Sequence, residues 1–581
     1  MNNYLFKLKD DLNNIISDLI DKKIINKNFN YSSISLDYLS KSRRGDASSN
    51  ILILLKQNLK NNEFDITNEI KSQFTKLNYI EKIDFASGKF INFQFKKEYI
   101  LKNLQSVFVN PSHYGLNNSG KNKKINIEFV SANPTGPLHI GHIRGAIFGD
   151  VLSSIMQVNG FEVTREYYVN DSGSQIISLG KSLFKRYQEL NNVQISISND
   201  EYPGDYLIDI AKKIFKSDGK KWLNDESEER KIYFQNYAVT EITKTIKDDL
   251  KLIKINFDLF TKESQILKEN VIKQVCGLLE EKNLIYEGYL DKPKGDDNTN
   301  WTPRKQLLFK SSKFNDDVDR PFQKINGDWT YFANDSAYHY NKFLRKYDQL
   351  INIWGSDHIG YISRLKSIVE ALSDKKNYLQ IFVCQIVRLF QNNKLYKMSK
   401  REGNFITLNE LVSKVGKDPL RYFMISSKSE TPMDFDIDKV IQKNKDNPVF
   451  YCQYAYARAS SIINKAKSYE ELKDFENKFE NFEYDTLTRE EKEIILKILS
   501  WPYLLYHLSI LKQPHKLANY IEDISSNFHT FWNMGKDDET LRMIDLDNIN
   551  KTITKLIWIQ SLRIVLNKAF EIIGIEVIEN M

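Results

Sequence analysis

The chain has 581 residues and a mass of 68.2 kDa, enough for several domains and a sizeable core. Hydrophobic residues make up 41% of it and charged residues 27%, which excludes a disordered or collagen-like polymer. The net charge of +7 permits a polyanionic partner without demanding one.

The chain opens on Leu5, Leu8, Leu12, Ile15, Ile16 and Leu19, whose spacing predicts an amphipathic helix. Residues 1–115 read as a small α+β domain. Its first 110 residues hold 17 Lys/Arg against 12 Asp/Glu, so most of the excess positive charge sits in less than a fifth of the chain. The alternating run Phe90-Ile91-Asn92-Phe93-Gln94-Phe95 predicts a strand. Polar residues 117–122 mark a boundary. Residues 124–130 then read as a strand, a Pro/Gly loop follows at 133–137, the pattern is helical from about 141 to 159, and 161–169 read as a second strand. Strand, helix and strand in this order predict a βαβ unit and a parallel sheet. Residues 121–411 are taken as this domain, with a mostly helical insertion at about 185–300. Residues 350–354 predict a further buried strand. From 412 to 581 nearly everything reads as helix, an all-α bundle. The expected fold class is therefore α/β, flanked by an N-terminal α+β domain and a C-terminal helical one.

Cys276, Cys384 and Cys452 are far apart and form no CxxC, so neither a disulfide framework nor a zinc knuckle is expected. No protein metal site is expected either. No run of about 18 apolar residues and no apolar N-terminal segment suggests a membrane span or signal peptide. A reduced, cytoplasmic chain with no membrane partner is the expectation.

Two motifs carry chemistry. Pro137-Leu138-His139-Ile140-Gly141-His142-Ile143-Arg144-Gly145 falls where a strand end becomes a helix start. Unpaired N–H groups and a partial positive charge there suit phosphate. Two histidines on the first turn can donate to phosphate oxygens, and Gly141 allows close approach. Alone, two surface histidines explain the pattern equally well. The second motif is Lys397-Met398-Ser399-Lys400-Arg401-Glu402-Gly403-Asn404, a basic Gly-containing segment able to neutralise a departing pyrophosphate. Alone, it reads as a solvated loop. Gly180-Lys181-Ser182 looks like the tail of a phosphate loop, but position 175 is Gln where that motif needs Gly.

Together the two motifs resemble the signatures of class I aminoacyl-tRNA synthetases. Ser131-Ala132-Asn133-Pro134-Thr135-Gly136-Pro137, Tyr167-Tyr168-Val169-Asn170-Asp171, Thr330-Tyr331-Phe332-Ala333-Asn334-Asp335 and Asn447-Pro448-Val449-Phe450-Tyr451 narrow the resemblance to arginyl-tRNA synthetases, over essentially the whole chain. The resemblance implies a Rossmann-type catalytic domain, and ATP bound with Mg²⁺ through the nucleotide. It also implies tRNA(Arg) and L-arginine as partners, and a monomer. It makes His139, His142, Lys397 and Lys400 catalytic, and adds Pro137, Gly141, Met398 and Ser399 to the ATP site. It assigns Glu128, Asn133, Tyr331 and Asp335 to arginine; a planar, charged guanidinium calls for carboxylates and an aromatic face. Asp335 as a structural helix charge and Glu128 as the partner of a nearby lysine stay open. Asn170, Gln175, Asp357 and His358 are possible substrate contacts, with a helix N-cap the alternative at Asn170 or Asp171. For tRNA, the resemblance points to Phe90 and Asn92 at the elbow and to Tyr451, Tyr454 and Arg458 at the anticodon, with strand core and helix packing the alternatives. It also implies that activation waits for tRNA. Two departures stand out: Arg401 replaces the usual Ser, and Pro419 replaces the usual Ala, a position suited to a first helical turn. A non-catalytic tRNA-binding paralogue and a nucleotidyltransferase with a small acceptor are the alternatives.

Overall fold

The computed structural model describes residues 3–38, 45–61, 64–198, 200–268, 270–290, 303, 305–396 and 406–579. The chain divides into two compact units, Gly120–Gln442 and Met1–Ser119 with Lys443–Met581.

The first unit is built on five parallel strands. β1 (Lys124–Glu128) leads through α1 (Ile140–Val158) to β2 (Glu162–Val169). β3 (Leu259–Lys262) follows a long helical excursion. After α2 (Tyr331–Leu344) come β4 (Gln349–Gly355), α3 (Ile362–Ser373) and β5 (Leu379–Cys384). The sheet order is β5-β4-β1-β2-β3, a doubly wound Rossmann-type arrangement. The order reverses beside β1, and the crevice outside the carboxyl ends of β1 and β4 is where such sheets take ligands. Ile125, Ile127 and Phe129 pack on one face of the sheet and are buried. Gly149 lets α1 approach that face: a Cβ there would lie 2.3 Å from the Phe129 ring.

The predicted βαβ unit appears almost residue for residue. The segment 185–300 departs from expectation, because it supplies β3, the edge strand paired with β2. Four residues of mixed character carry too little alternation to reveal a strand. Gly180 lies in the helix Ser174–Glu189, where a Cβ would meet Gln235 Cγ at 2.6 Å, so it serves helix packing. Helices Leu408–Val415 and Lys417–Ile425, grouped by sequence with the C-terminal bundle, belong to this unit. Their helicity could not tell which core they join. The buried Arg421 shows it, donating to Asp150 Oδ2 on α1 and to the Ile253 carbonyl, each at 2.5 Å. A short strand, Met433–Asp436, interrupts the helical run and pairs in parallel with Val387–Gln391.

In the second unit, strands Leu36–Tyr38, Ala47–Ser49, Phe90–Phe95 and Ile80–Ala86 form an antiparallel sheet in that order. The predicted first helix is Tyr4–Asp21, with its leucine and isoleucine stripe buried. Helices Pro448–Ala466, Arg489–Leu511, His515–Asp537 and Ile549–Ile573 form the C-terminal bundle. Arg489–Leu511 is long and apolar enough to cross a membrane, yet 72% of its apolar window is buried inside the fold. Pro502 lies within it and cannot donate to the Ile498 carbonyl. Tyr114 takes that place, its hydroxyl donating to Ile498 O at 3.3 Å, while Asn3 Nδ2 donates to Leu499 O at 2.6 Å. Side chains of the N-terminal segment thus bond the turn that precedes Pro502.

Candidate active site

The site begins where β1 ends. Val130 and Ser131 adopt φ of 68° and 38°, a left-handed conformation that a β-branched valine adopts only under constraint. The constraint is a set of hydrogen bonds. The Tyr168 amide donates to Ser131 Oγ at 3.1 Å, Ser131 Oγ donates to Glu128 Oε1 at 3.0 Å, and Tyr167 donates to the Ala132 carbonyl at 2.7 Å. This turn delivers Asn133, whose amide donates to Gln175 Oε1 at 2.8 Å, joining two residues predicted separately.

Six residues on, at His139, α1 is capped. His139 is its N-cap: Gly141 N donates to His139 Nδ1 at 3.2 Å, and His139 N donates to His142 Nδ1 at 3.3 Å. The two rings lie 4.0 Å apart. With each Nδ1 accepting a main-chain N–H, a neutral ring carries its proton on Nε2, the donor that phosphate oxygens need. A Cβ at Gly141 would sit 3.0 Å from His139 Cε1, so this position keeps the turn open. Pro137 lies in the loop just before.

Lys397, Met398, Ser399 and Lys400 lie outside the described residues. Their flanks are held by the chain around α1. Thr407 pairs with His139 in an antiparallel bridge, and Leu408 N donates to the Leu138 carbonyl at 2.8 Å. The buried Arg144 donates to the carbonyl of Gln385, before the motif, and to the carbonyls of Lys428 and Thr431 and Ser427 Oγ, after it, at 2.6–3.1 Å. One helix thus anchors both flanks of the lysine motif.

Acids gather at the crevice beside α2. Glu128 is buried and accepts from Lys342 Nζ at 2.5 Å, which realises the lysine partner left open by sequence. Glu166 is held by Arg345 through two bonds of 2.9 Å. Asp335 and Glu263 have no cationic partner among the described residues. Asp335 accepts from the Tyr361 hydroxyl at 2.6 Å. Burial, with Glu263 and Glu128 nearby, pushes its carboxyl up to about 7 against the opposing effect of that hydroxyl. Glu263, 5% exposed, accepts from Ser172 Oγ at 2.5 Å and Asn334 Nδ2 at 3.2 Å. With its amide nitrogen turned inward, Asn170 donates to Glu263 Oε2 at 2.8 Å. Neither Asn170 nor Asp171 caps a helix: the N-cap is Gly173, and Asp171 accepts from the amide and hydroxyl of Ser264. A buried acid, Glu263, and a half-buried one, Asp335, thus face the crevice with no cationic partner among the described residues.

Not every predicted residue joins this cluster. Tyr331 opens α2 one turn before Asp335, with its ring 70% exposed. Asp357 and His358 follow β4 in an exposed short helix, their side chains 3.5 Å apart.

In the other unit, Tyr454, Arg458 and Trp532 line a cavity of about 660 Å³ with Lys465, Lys536 and Arg542. The Arg458 guanidinium lies 4.3 Å over the Tyr454 ring and 4.8 Å over Trp532. It donates to His529 Nδ1 at 2.8 Å, so His529 Nε2 carries the proton and donates to the Tyr451 carbonyl at 3.1 Å. Burial lowers His529 to about 4, keeping the ring neutral. Tyr451 packs its ring on His529 rather than lining the cavity. Asn92 is buried and accepts from Ser48 Oγ at 3.0 Å, while Phe90 starts its strand half-buried.

Comparison with known proteins separates this arrangement from other doubly wound sheets. Residues 103–443 match the family described as tRNA synthetases class I (R), catalytic domain. Residues 7–95 match the arginyl tRNA synthetase N-terminal domain, and 452–581 the DALR anticodon binding domain. The arginine–tRNA ligase of Pelagibacter ubique is 44% identical over 548 residues, 92% of each chain. That of Ehrlichia ruminantium is 39% identical over 557 residues, 96% of each. The chain belongs to the arginyl-tRNA synthetases. The Thermus thermophilus arginyl-tRNA synthetase, 17% identical, shares the fold with a TM-score of 0.74 over 99% of both chains.

In this arginyl-tRNA synthetase the crevice and the bundle cavity also hold residues that motif reading missed. Glu263 and Lys342 carry no local signature, because each is defined by what it faces across the sheet end. Tyr361 lay three residues past the predicted Asp357 and His358. Trp532 had no pattern to announce it. The signal available for Lys342 was a lysine in phase with Asp335 and His339 on a helix face that also carries Phe332, Ala333 and Ala337.

Proposed function

We propose that the chain activates L-arginine with ATP to arginyl-adenylate and transfers the arginyl group to the 3′ end of tRNA(Arg). The observation that carries the arginine assignment is the pair Asp335 and Glu263, one half-buried and one buried, with no cationic partner among the described residues. A guanidinium fits them, since it is always charged and donates in several directions at once. Tyr361 and Tyr168 supply hydroxyls and aromatic faces around it. The Asn133–Gln175 pair, at the strand end nearer α1, takes the α-amino and carboxylate end.

ATP lies with its phosphates at the N-terminus of α1. Unpaired N–H groups and the Nε2 protons of His139 and His142 meet charge that develops on the α-phosphate. An arginine carboxylate oxygen attacks the α-phosphorus in line. The bond to the bridging oxygen breaks, and pyrophosphate leaves toward Lys397 and Lys400. Bound with the nucleotide, Mg²⁺ would screen its phosphates. No protein nucleophile is needed; positioning and electrostatics lower the barrier. The terminal ribose hydroxyl of tRNA then attacks the arginyl carbonyl and AMP departs.

The tRNA anticodon is read at the Tyr454–Arg458–Trp532 cavity, where rings offer stacking and the surrounding Lys and Arg meet phosphates. Phe90 is the N-terminal unit's candidate contact; Asn92 acts through the strand that carries it. The chain works as a cytoplasmic monomer without a membrane partner.

ATP–pyrophosphate exchange with each of the twenty amino acids, with and without tRNA, tests the proposal. Exchange with arginine, appearing when tRNA is added, is the expected result. Exchange with another amino acid overturns the Asp335–Glu263 reading. A folded, tRNA-binding chain with no exchange makes it a non-catalytic paralogue.

A further inference from the structure

Lys342 has no part in the reaction just described, yet it is a fully buried cation on the inner face of α2. Burying a charge pair seldom adds stability over apolar packing, so its presence calls for another reason. Its surroundings supply one. Asp335, His339 and Lys342 lie at i, i+4 and i+7, one inward stripe of the helix. Lys342 Nζ donates to Glu128 Oε2 at 2.5 Å and to Asn352 Oδ1 at 3.3 Å, and lies 4.5 Å over the Tyr338 ring. Asn352 Nδ2 lies 2.9 Å from His339 Nε2, and His339 Nδ1 lies 2.8 Å from the main-chain carbonyl of Asp335.

Only one proton assignment satisfies this chain. An ammonium only donates, so Asn352 Oδ1 accepts and its Nδ2 donates. His339 Nε2 must then accept, and its proton sits on Nδ1, directed at the Asp335 carbonyl. Burial and the Lys342 charge lower His339 to about 3, which keeps the ring in this neutral form. At the other end, Glu128 accepts from Ser131 Oγ, which in turn holds the strained turn leading to Asn133. The relay therefore runs from the helical turn that presents Asp335 to the turn that presents Asn133. It also settles the charges. Lys342 pairs with Glu128 and Arg345 with Glu166, whereas Asp335 and Glu263 have no cationic partner among the described residues.

We propose that Lys342 is a positioning residue for arginine: through Glu128 on one side and Asn352 and His339 on the other, it sets the distance between the two ends of the amino-acid pocket. This inference rests on the reading of the crevice as an arginine site. A connected, fully satisfied network in a low dielectric is stiff, and a buried donor–acceptor chain with a single polarity cannot slip by one partner.

The test is pyrophosphate exchange by the full chain with tRNA present, measuring kcat and KM for arginine and for ATP separately. Lys342→Met should lower kcat/KM for arginine about tenfold or more, with KM for ATP unchanged within about twofold. That variant also leaves Glu128 unpaired in the interior, so Asn352→Leu is measured beside it. Asn352→Leu keeps the Lys342–Glu128 pair and removes the link that runs from Lys342 through Asn352 to His339. It should raise the arginine KM at least threefold while its melting temperature stays within a few degrees. An arginine KM unchanged in Asn352→Leu overturns the relay, as does an equal rise in the arginine and ATP constants, which reports general damage. If the wild-type chain exchanges with a different amino acid, the arginine reading fails while the relay does not: its selectivity is then read with that amino acid, by the same criterion.

Discussion

Lowering the pH should weaken arginine binding and leave ATP binding alone, because one carboxyl of the pocket is held near neutrality. Asp335 is pushed up to about 7, first by burial and then by the adjacent Glu263 and Glu128. A guanidinium pairs with the ionised form, so binding must expel a proton whenever the carboxyl is protonated. The apparent dissociation constant then scales as one plus the ratio of proton concentration to the acid constant. For a pKa of 7 that factor is about 1.1 at pH 8, 2 at pH 7 and 11 at pH 6, a tenfold loss worth roughly 1.4 kcal/mol. The sign follows from the direction of the shift: a raised acid becomes protonated as the pH falls through 7, so affinity is full above it and lost below. The assay is the arginine KM in pyrophosphate exchange at pH 6, 7 and 8, with the ATP KM as internal control. Asp335→Asn should weaken arginine by about 10- to 100-fold, the range for a lost charge-assisted bond, and should flatten the slope. The same linkage appears in stability. Without arginine, the wild-type chain should lose stability relative to Asp335→Asn as the pH rises from 5 to 8, because the folded state binds the extra proton. An arginine KM that is flat between pH 6 and 8, or a slope that survives in Asp335→Asn, would refute the reasoning.

Other outcomes follow from the same geometry. His142→Ala should slow pyrophosphate exchange about 100-fold with arginine binding by calorimetry unchanged, the expected outcome of the proposed role of this ring at the α-phosphate. Trp532→Ala should weaken tRNA by 1–3 kcal/mol in filter binding, the typical cost of one lost base–ring stack, without changing the arginine KM. Gly149→Ala places a methyl 2.3 Å from the Phe129 ring and should destabilise the chain by about 1–3 kcal/mol in thermal melts, as α1 is pushed off the sheet.

What sequence determined was local. The βαβ unit was legible because alternation along β1 and β2 and the pattern of α1 record the faces they bury. The helix start at Ile140 was legible because a strand end, a Pro/Gly loop and two histidines in the first turn leave few other conformations. Asp335 was legible through its neighbours on one helix, and the resemblance rested on such contiguous runs. What only the tertiary structure decided was pairing between distant segments. β3 is four residues long and becomes a strand because β2 offers an edge. The helices after 407 join the catalytic unit because Arg421 finds Asp150 and the Ile253 carbonyl, 271 and 168 residues away. Glu128 carries the same sequence signal whether it meets a substrate or a lysine, and folding brings Lys342 to it from 214 positions on. Glu263 is brought beside Ser172 and Asn334 by the same route. A side chain's type and period follow from its neighbours in sequence; whether its charge is already satisfied depends on which distant group the fold places within hydrogen-bond reach.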